Sequence, residues 1–282
     1  NCILKGQGNA LLYPDPYIRT PGDIDIYLSG GRRKIMKYVD QVCPKQVMRY
    51  HHVDFPVMKT AIEVHFTPSY MFCPIHNRRM QKWFEEVMGE QCNHRVSLPD
   101  GYGEIHVPQV SFNVIYILSH LYRHIFTEGI GLRQLLDYYY VLVKWHTDLT
   151  NLTDSNKSLP QMTQINTDLD ALRHELKYLG LWKFAQAVMF VMKEVFGLSE
   201  DRMIAPMDER EGRFLLDEIM RGGNFGQYDD RMGSKVGESK IHRYFRMNLR
   251  NLRFVKHYPT EALSEPLFRT WFAVWKKIHG IK

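Results

Sequence analysis

The pattern of hydrophobic and polar positions changes once along the chain, near residue 108. Before that point, short apolar runs that alternate with polar residues predict strands, with stretches of helical spacing between some of them. After Pro108 the apolar positions recur at helical spacing almost to the end of the chain. The sequence therefore predicts an α+β fold, with a small mixed α/β domain over residues 1–107 and an all-helical domain over residues 108–282.

The clearest predicted strand ends the segment 13–28, where Asp23, Ile24, Asp25 and Ile26 alternate. Since side chains leave a strand on alternate faces, the two aspartates share one face and the two isoleucines are buried on the other. Two neighbouring carboxylates repel each other unless they stay solvated or share a cation, and Mg²⁺ prefers such oxygen ligands. An exposed strand with two solvated aspartates and a metal site both fit this pattern.

A second alternating run, residues 61–66, places Glu63 and His65 on its polar face and is predicted to form a hairpin with the strand before it. A carboxylate is an unusual residue for a core position. If the runs are neighbouring strands of one sheet, Asp23, Asp25 and Glu63 converge at one edge. Three carboxylates in that arrangement predict a cage for two divalent metal ions.

The helical domain is predicted from the 3.6-residue spacing of its apolar positions. Two stretches interrupt it. Residues 147–163 are rich in Asn, Thr and Ser, which predicts a mobile loop, and residues 221–237 are glycine-rich, which predicts a flexible connector. Asp208 with Glu211 three residues later predicts a helix N-cap. The predicted helices of this domain span about residues 110–126, 131–145, 169–178, 181–196, 208–220, 240–257 and 266–278.

The composition is 44% hydrophobic and 24% charged, which is typical of a globular protein, and no apolar run reaches the roughly 18 residues that a membrane span needs. The chain does not begin with Met, and we expect a further segment upstream of its first strand. Four scattered cysteines in 282 residues favour reduced thiols and a cytoplasmic location. Their spacing from histidines disfavours a zinc site built from Cys73, His76, Cys92 and His94.

The net charge of +6 is unevenly distributed. Residues 240–282 contain ten Lys and Arg against two Glu, which is +8, so that residues 1–239 sum to −2. Four arginines of this basic segment recur at intervals of 3, 4 and 3 residues, which places them on one helical stripe. Such a stripe is either the solvated face of a helix or a surface for an anionic partner, such as nucleic acid, anionic lipid or nucleotide phosphates. The four residues are Arg243, Arg246, Arg250 and Arg253.

Four short motifs in the first quarter of the chain carry a family resemblance. They are LKG at residues 4–6, YPDPYIR at 13–19, GDIDIYL at 22–28 and EVHF at 63–66. In this order and spacing they resemble the nucleotidyltransferase superfamily of the polymerase-β type, and in particular a bacterial branch of uncharacterised nucleotidyltransferases. In that superfamily a paired aspartate on one strand, with a third acid further on, binds divalent metal. The resemblance therefore implies that Asp23, Asp25 and Glu63 are the catalytic metal ligands.

The resemblance also implies a triphosphate site near the start of the chain. A glycine-containing turn after the first strand holds the triphosphate in the superfamily, and here Gly6 with Gln7 matches that turn. The usual serine after the glycine is Gln7 in this chain, so a hydroxyl contact to phosphate is lost. Lys5 or the backbone amide of Gln7 compensates in this interpretation, and Lys5 and Arg19 are the predicted phosphate ligands.

A further element of the resemblance is the predicted helix over residues 131–145. It carries Arg133 and Asp137 four residues apart, and an Arg-x-x-x-Asp helix of this kind recurs in the family. Two interpretations stay open. One is an ion pair on the helix surface, which stabilises a protein by only ~0.3–0.5 kcal/mol. The other places the pair along a cleft that faces the acidic strand edge.

The predicted activity is transfer of a nucleoside monophosphate from an NTP to an acceptor hydroxyl or phosphate, with release of pyrophosphate. Two Mg²⁺ ions are expected, with Mn²⁺ as the alternative. A small molecule, an RNA end and a protein side chain all remain as acceptors. The alternatives are a catalytically inactive nucleotide- or partner-binding module of the same fold, and a glycosyltransferase that uses the Asp-x-Asp pair to bind a nucleotide sugar. The latter needs a longer region before Asp23 than the 22 residues that precede it here, and the expected upstream segment would have to supply it.

Overall fold

The computed structural model describes residues 1–56, 60–155, 161–223, 226–229, 231 and 239–281. Contacts between backbone segments divide the chain into two compact units. The first unit comprises Asn1–Tyr70, Arg78–Tyr116 and Arg269–Lys282, and the second comprises Met71–Asn77 and Ile117–Phe268. No helix in these described ranges combines the length and the apolar character needed to cross a bilayer.

A mixed four-stranded sheet organises the first unit. Its strands are β1 (Cys2–Ile3), β2 (Ile24–Tyr27), β3 (His52–Asp54) and β4 (Ile62–His65), in the spatial order β1-β2-β4-β3. Strands β2 and β4 are parallel, whereas β1 and β3 pair antiparallel with their neighbours. Strands β5 (Arg95–Ser97) and β6 (Glu104–His106) form a separate antiparallel pair. The predicted mixed α/β region is confirmed.

Helices α1 (Gln7–Ala10), α2 (Gly31–Val42), α3 (Pro74–Gln91) and α4 (Val110–Thr127) follow or connect these strands. The apolar positions of α2 pack on one side of the sheet. There Ile35 and Val39 contact Val53 of β3 and Val64 of β4, all of them at most 3% exposed. Because Val64 points into this core, its neighbours along β4 point to the opposite face of the sheet. The polar side chains of the strands therefore share the face away from α2.

Helices make up the second unit, as the spacing of the apolar residues predicted. They are α5 (Leu132–Ser155), α6 (Gln161–Tyr178), α7 (Trp182–Phe196), α8 (Glu209–Gly222), α9 (Lys240–Val255) and α10 (Pro259–Ile278), and α10 continues into the first unit. The N-cap prediction at Asp208 is confirmed, since its Oδ1 accepts the backbone N–H of Glu211 at 3.0 Å.

The prediction of a loop over residues 147–163 is wrong at both ends, because α5 continues through Ser155 and α6 begins at Gln161. Two polar side chains there are satisfied within the helix. The hydroxyl of Thr147 donates to the carbonyl of Val143 at 2.9 Å, and that of Thr150 donates to the carbonyl of Thr147 at 2.8 Å. Residues 156–160 and most of the predicted connector at 221–237 lie outside the described residues, although α8 reaches Gly222.

The structure contradicts the first of the two interpretations of the arginine stripe on α9, a solvated helix face. Arg250 is only 7% exposed, and its Nε lies 3.5 Å from Oδ2 of Asp229. Arg253 forms an ion pair with Glu218, and Arg246 donates from Nη1 to a backbone carbonyl at 2.6 Å. The acids that neutralise these arginines lie outside the basic segment. Three of the four arginines are therefore engaged within the second unit.

Four apolar residues of α9 face solvent instead, although Phe254 near the end of the helix is buried. Ile241, Phe245, Leu249 and Leu252 are between 59% and 71% exposed. A helix with one polar and one apolar face can bury either face, and partners elsewhere in the chain decide which. Arg243 is exposed, and its role in binding an anionic partner stays a prediction.

Helices α7 and α8 pack closely because one of them presents a glycine. A Cβ added at Gly212 of α8 would lie 2.4 Å from side-chain atoms of Phe190 in α7. We expect Gly212→Ala to lower the free energy of unfolding by about 1–3 kcal/mol, since overpacking of a tight core outweighs the better helix propensity of alanine. Urea denaturation measures this change. Gly222→Ala is the matched control at the end of the same helix, where no atom lies within 4 Å of the added Cβ. Equal stability of the two variants would contradict the prediction.

Candidate active site

The register of the sheet brings two of the predicted acids together. Asp25 of β2 is the direct parallel partner of Glu63 on β4, and Tyr27 is the partner of His65. Residues in register on neighbouring strands point to the same face, about 5 Å apart. Asp25, Glu63 and His65 accordingly offer ligand atoms that all lie within 4.8 Å of one another. The predicted convergence at the sheet edge therefore includes a histidine.

Asp25 is ionised although it is buried. Its residue is only 2% exposed, and Oδ1 lies 3.0 Å from Nζ of Lys5 and 2.8 Å from Nε2 of His65. Lys5 reaches this position because the preceding residue, Leu4, donates its N–H to the backbone carbonyl of Asp25 at 2.9 Å. Burial alone would raise the pKa of Asp25, but Lys5 and His65 outweigh it and hold this pKa well below its usual range.

Glu63 is the more accessible of the two paired acids. Its side chain is 27% exposed, and Oε2 lies 3.1 Å from Nδ1 of His52 and 3.5 Å from Nε2 of His65. Partial burial raises the pKa of Glu63, but the contacts with His65 and His52 lower it by more, so that the net shift is downward. Glu63 thus offers an ionised oxygen at the boundary between the buried histidines and solvent.

Asp23 lies at the margin of this arrangement. It is exposed and precedes β2 by one residue. Partial desolvation raises its pKa, and repulsion from Asp25 and Glu63 raises it further, against the opposite effect of Lys5. Among the groups of close ligand atoms in the described residues, none includes Asp23. Its predicted role as a metal ligand stays a prediction.

Of the predicted phosphate ligands, Lys5 and Gly6 lie close to the acids. Gly6 has a φ of 54°, and a Cβ at this position would lie 3.5 Å from the backbone carbonyl oxygen of Asp23. Gln7 begins α1, and its Oε1 is buried without a hydrogen-bond partner among the described residues. Arg19 donates from Nη1 to the carbonyl of Thr20 at 3.4 Å. The contact of these residues with phosphate stays a prediction.

Arg133 and Asp137 both belong to α5 in the second unit. Asp137 is only 8% exposed and Arg133 is half-buried. One of the two interpretations was an ion pair on the helix surface. The burial of Asp137 does not fit it, because a surface pair would be solvated. The cleft role of the pair stays a prediction.

Two buried histidines beside the acids were missed at the sequence level. His52 pairs with His65 across β3 and β4, and His51 directly precedes β3. The alternation along β4 placed His65 on the face of Glu63, but no chemical role was inferred from it. The sequence did contain one indication of His52. It lies two residues before Asp54, so the two share a polar face of β3, as Glu63 and His65 do on β4.

Cys73 and His76 have a structural partner rather than the second Cys-His pair. Glu261 of α10 accepts from the backbone N–H of Cys73 at 3.1 Å and lies 2.9 Å from Nδ1 of His76. Cys92 lies 3.8 Å from the sulfur of Cys2, and both are free thiols. The buried Glu261 thus ties α10 to the chain directly before α3.

Asp23, Asp25 and Glu63 form an acid group in the first unit, and a divalent cation fits it. Asp25 and Glu63 are both ionised, lie in register and raise the pKa of Asp23 by repulsion. A cation would relieve that repulsion. At Asp25 it would share Oδ1 with Lys5 or displace the ammonium group, which lies 3.0 Å away.

Comparison with known proteins identifies a family. No curated protein and no solved structure matches the chain significantly. The sequence model of a family described as "Uncharacterised nucleotidyltransferase" matches residues 2–197, a range that contains the whole acid group. The chain therefore belongs to this family of uncharacterised nucleotidyltransferases.

Proposed function

We propose that the protein is a metal-dependent nucleotidyltransferase that moves a nucleoside monophosphate from an NTP to an acceptor and releases pyrophosphate. The observation that carries this proposal is the in-register pair of ionised acids, Asp25 and Glu63, on adjacent parallel strands. Membership of the nucleotidyltransferase family supports the same reaction class.

Asp25 and Glu63, with Asp23 beside them, would hold the divalent ions, Mg²⁺ or Mn²⁺. When bound, such ions lower the pKa of an attacking hydroxyl and neutralise charge on the triphosphate and the leaving pyrophosphate. Asp25 is prepared for this role because Lys5 and His65 keep it ionised, so that no proton has to leave when a cation arrives. Glu63 offers its carboxylate from the more exposed side.

Lys5, Gly6, Gln7 and Arg19 are the proposed triphosphate ligands. The ammonium group of Lys5 lies 3.0 Å from Asp25 and is a cation placed directly at the acids. The tight backbone at Gly6 brings the turn against Asp23, which would place a phosphate near the metal ligands. Transfer of a phosphoryl-type group requires positioning and charge neutralisation, so no serine or cysteine nucleophile is needed.

One observation favours a second candidate, an inactive nucleotide-binding module of the same fold. In this structure the ammonium of Lys5 neutralises Asp25, the role that a metal ion would have in an active enzyme. A chain that uses Lys5 permanently in this way would bind nucleotide without turnover. The acceptor of an active enzyme remains open between a small molecule, RNA and a protein side chain.

The test combines nucleotide binding with product analysis. We expect one of the four NTPs to raise the melting temperature only when Mg²⁺ or Mn²⁺ is present, because the ions bridge the carboxylates and the triphosphate. That NTP should release pyrophosphate when a heat-treated cell extract supplies acceptors. Binding without pyrophosphate would indicate the inactive module, and release of a nucleoside diphosphate from a nucleotide sugar would indicate the glycosyltransferase. No shift with any NTP would contradict the proposal.

A further inference from the structure

Three buried histidines form a cluster beside the acid group. His51, His52 and His65 are 3%, 8% and 0% exposed, and their ring centroids lie 4.5 to 5.1 Å apart. Each offers a ring nitrogen, and the three nitrogens lie within 4.8 Å of one another. Nucleotidyl transfer as proposed above needs oxygen ligands for its metal ions and gives His51 and His52 no task.

The ring nitrogens of the three histidines lie close enough together to bind one metal ion. Nε2 of His51 lies 3.3 Å from Nδ1 of His52, which lies 3.1 Å from Oε2 of Glu63, and that oxygen lies 3.5 Å from Nε2 of His65. Metal–ligand bonds of about 2.0–2.1 Å in tetrahedral geometry put neighbouring ligand atoms roughly 3.3–3.4 Å apart. The 3.3 Å between the nitrogens of His51 and His52 matches that value, and Glu63 lies beside the imidazoles.

We propose that His51, His52 and His65 bind a divalent transition-metal ion of the Zn²⁺ or Co²⁺ type, with the carboxylate of Glu63 beside them. Imidazole nitrogens suit these ions, whereas Mg²⁺ prefers oxygen ligands and retains its water. The site differs from the proposed magnesium site in its three nitrogen donors, and Glu63 adjoins both sites. This inference goes beyond nucleotidyl transfer and does not depend on it.

The surroundings support a cation at this position. The second ring nitrogen of His52, Nε2, faces the carboxylate of Asp54 at 3.8 Å, the type of partner that orients a metal-binding imidazole. Nδ1 of His65 is buried without a hydrogen-bond partner among the described residues, so it can bind the ion while Nε2 keeps its 2.8 Å contact with Asp25. With neutral histidines, the formal charges of the ion, the three nearby carboxylates and Lys5 sum to zero.

An ion also has a route to the histidines. The three imidazoles are buried, but the side chain of Glu63 is 27% exposed and contacts two of them. An incoming ion can therefore meet the carboxylate first and pass to the nitrogens behind it. The other account of the cluster is a chain of hydrogen bonds between imidazoles and carboxylates, which needs no metal and would leave the protein indifferent to Zn²⁺.

The experiment uses the full chain, freed of metal by a chelator and kept free of nucleotide. Titration with Co²⁺ should produce the intense visible absorption of a four-coordinate ion, saturating at one equivalent and removed by Zn²⁺. His51→Gln and His52→Gln should each weaken binding by at least about 100-fold, since loss of outer partners alone costs 10–100-fold. His94→Gln is the control, because His94 contacts the carbonyl of Val107 instead.

A second measurement covers variants that fail to fold. X-ray absorption of the wild-type protein with one equivalent of Zn²⁺ should show three imidazole ligands. The proposal is overturned if wild-type protein gives no saturable Co²⁺ spectrum, if fewer than three imidazoles surround zinc, or if folded His51 and His52 variants bind as tightly as wild type. Because no nucleotide is present, these results are separate from the NTP-dependent shift that tests the proposed function.

Discussion

Asp25→Asn is expected to reduce pyrophosphate release by about 10³-fold or more. The substitution removes the buried negative charge that lies in register with Glu63 and would hold a metal ion. Metal-ion stabilisation of the transition state amounts to several kcal/mol, and each 1.36 kcal/mol corresponds to about tenfold in rate. Release is measured with the NTP that the binding screen identifies, together with the Mg²⁺-dependent thermal shift, which should also disappear.

The matched control is Asp40→Asn, an exposed aspartate on α2 of the same unit. It should retain both the thermal shift and turnover. Asp23→Asn asks whether the acid at the margin of the group belongs to the site, and the metal-ligand prediction requires a loss comparable to that of Asp25→Asn. Circular dichroism establishes that each variant is folded. Full activity in folded Asp25→Asn protein would show that the acid group is not the catalytic centre.

The sequence predicted those features of the site that follow from the alternation of polar and apolar residues along one strand. Period-two spacing is visible in a single strand, so Asp25 and Glu63 could each be placed on a polar face. Register between strands depends on contacts that are distant in sequence. Local spacing therefore could not predict that Asp25 and Glu63 pair directly, or that Asp23 lies apart from them. The salt bridge of Lys5 with Asp25 likewise requires β1 and β2 to be neighbours.

The errors in the helical region have the same origin. The amphipathic pattern of α9 is real, but Glu218 and Asp229 lie outside its segment and bring the polar face inward. Pro266 was expected to begin the last helix, whereas α10 begins at Pro259 and contains Pro266 in its interior. Proline is normally favoured at a helix start and disfavoured inside a helix. Tertiary contacts of the residues before Pro266 override that preference here. Glu261, one of those residues, makes such contacts.

Glu261 is a buried acid of the second unit, and both of its carboxylate oxygens have partners. It is 1% exposed, and Oε2 accepts from the backbone N–H groups of Phe72 at 2.6 Å and Cys73 at 3.1 Å. Oε1 lies 2.9 Å from Nδ1 of His76. These groups lie at the start of α3, where the helix leaves N–H groups without a partner and its dipole favours a negative charge. Removal of the carboxylate therefore leaves several buried donors unpaired at once.

Glu261→Ala should lower the free energy of unfolding by about 3–5 kcal/mol, the range for a buried ionic partner removed from its network. Glu261→Gln keeps the shape and one acceptor oxygen, and its loss should be smaller, about 1–2 kcal/mol. Glu209→Ala is the control, since its partner Arg213 lies on an exposed helix surface and the pair contributes roughly 0.3–0.5 kcal/mol. Urea denaturation of the three variants measures these differences. A loss below about 1 kcal/mol for Glu261→Ala would mean that solvent or other side chains satisfy the start of α3, and that α10 is held by its apolar contacts alone.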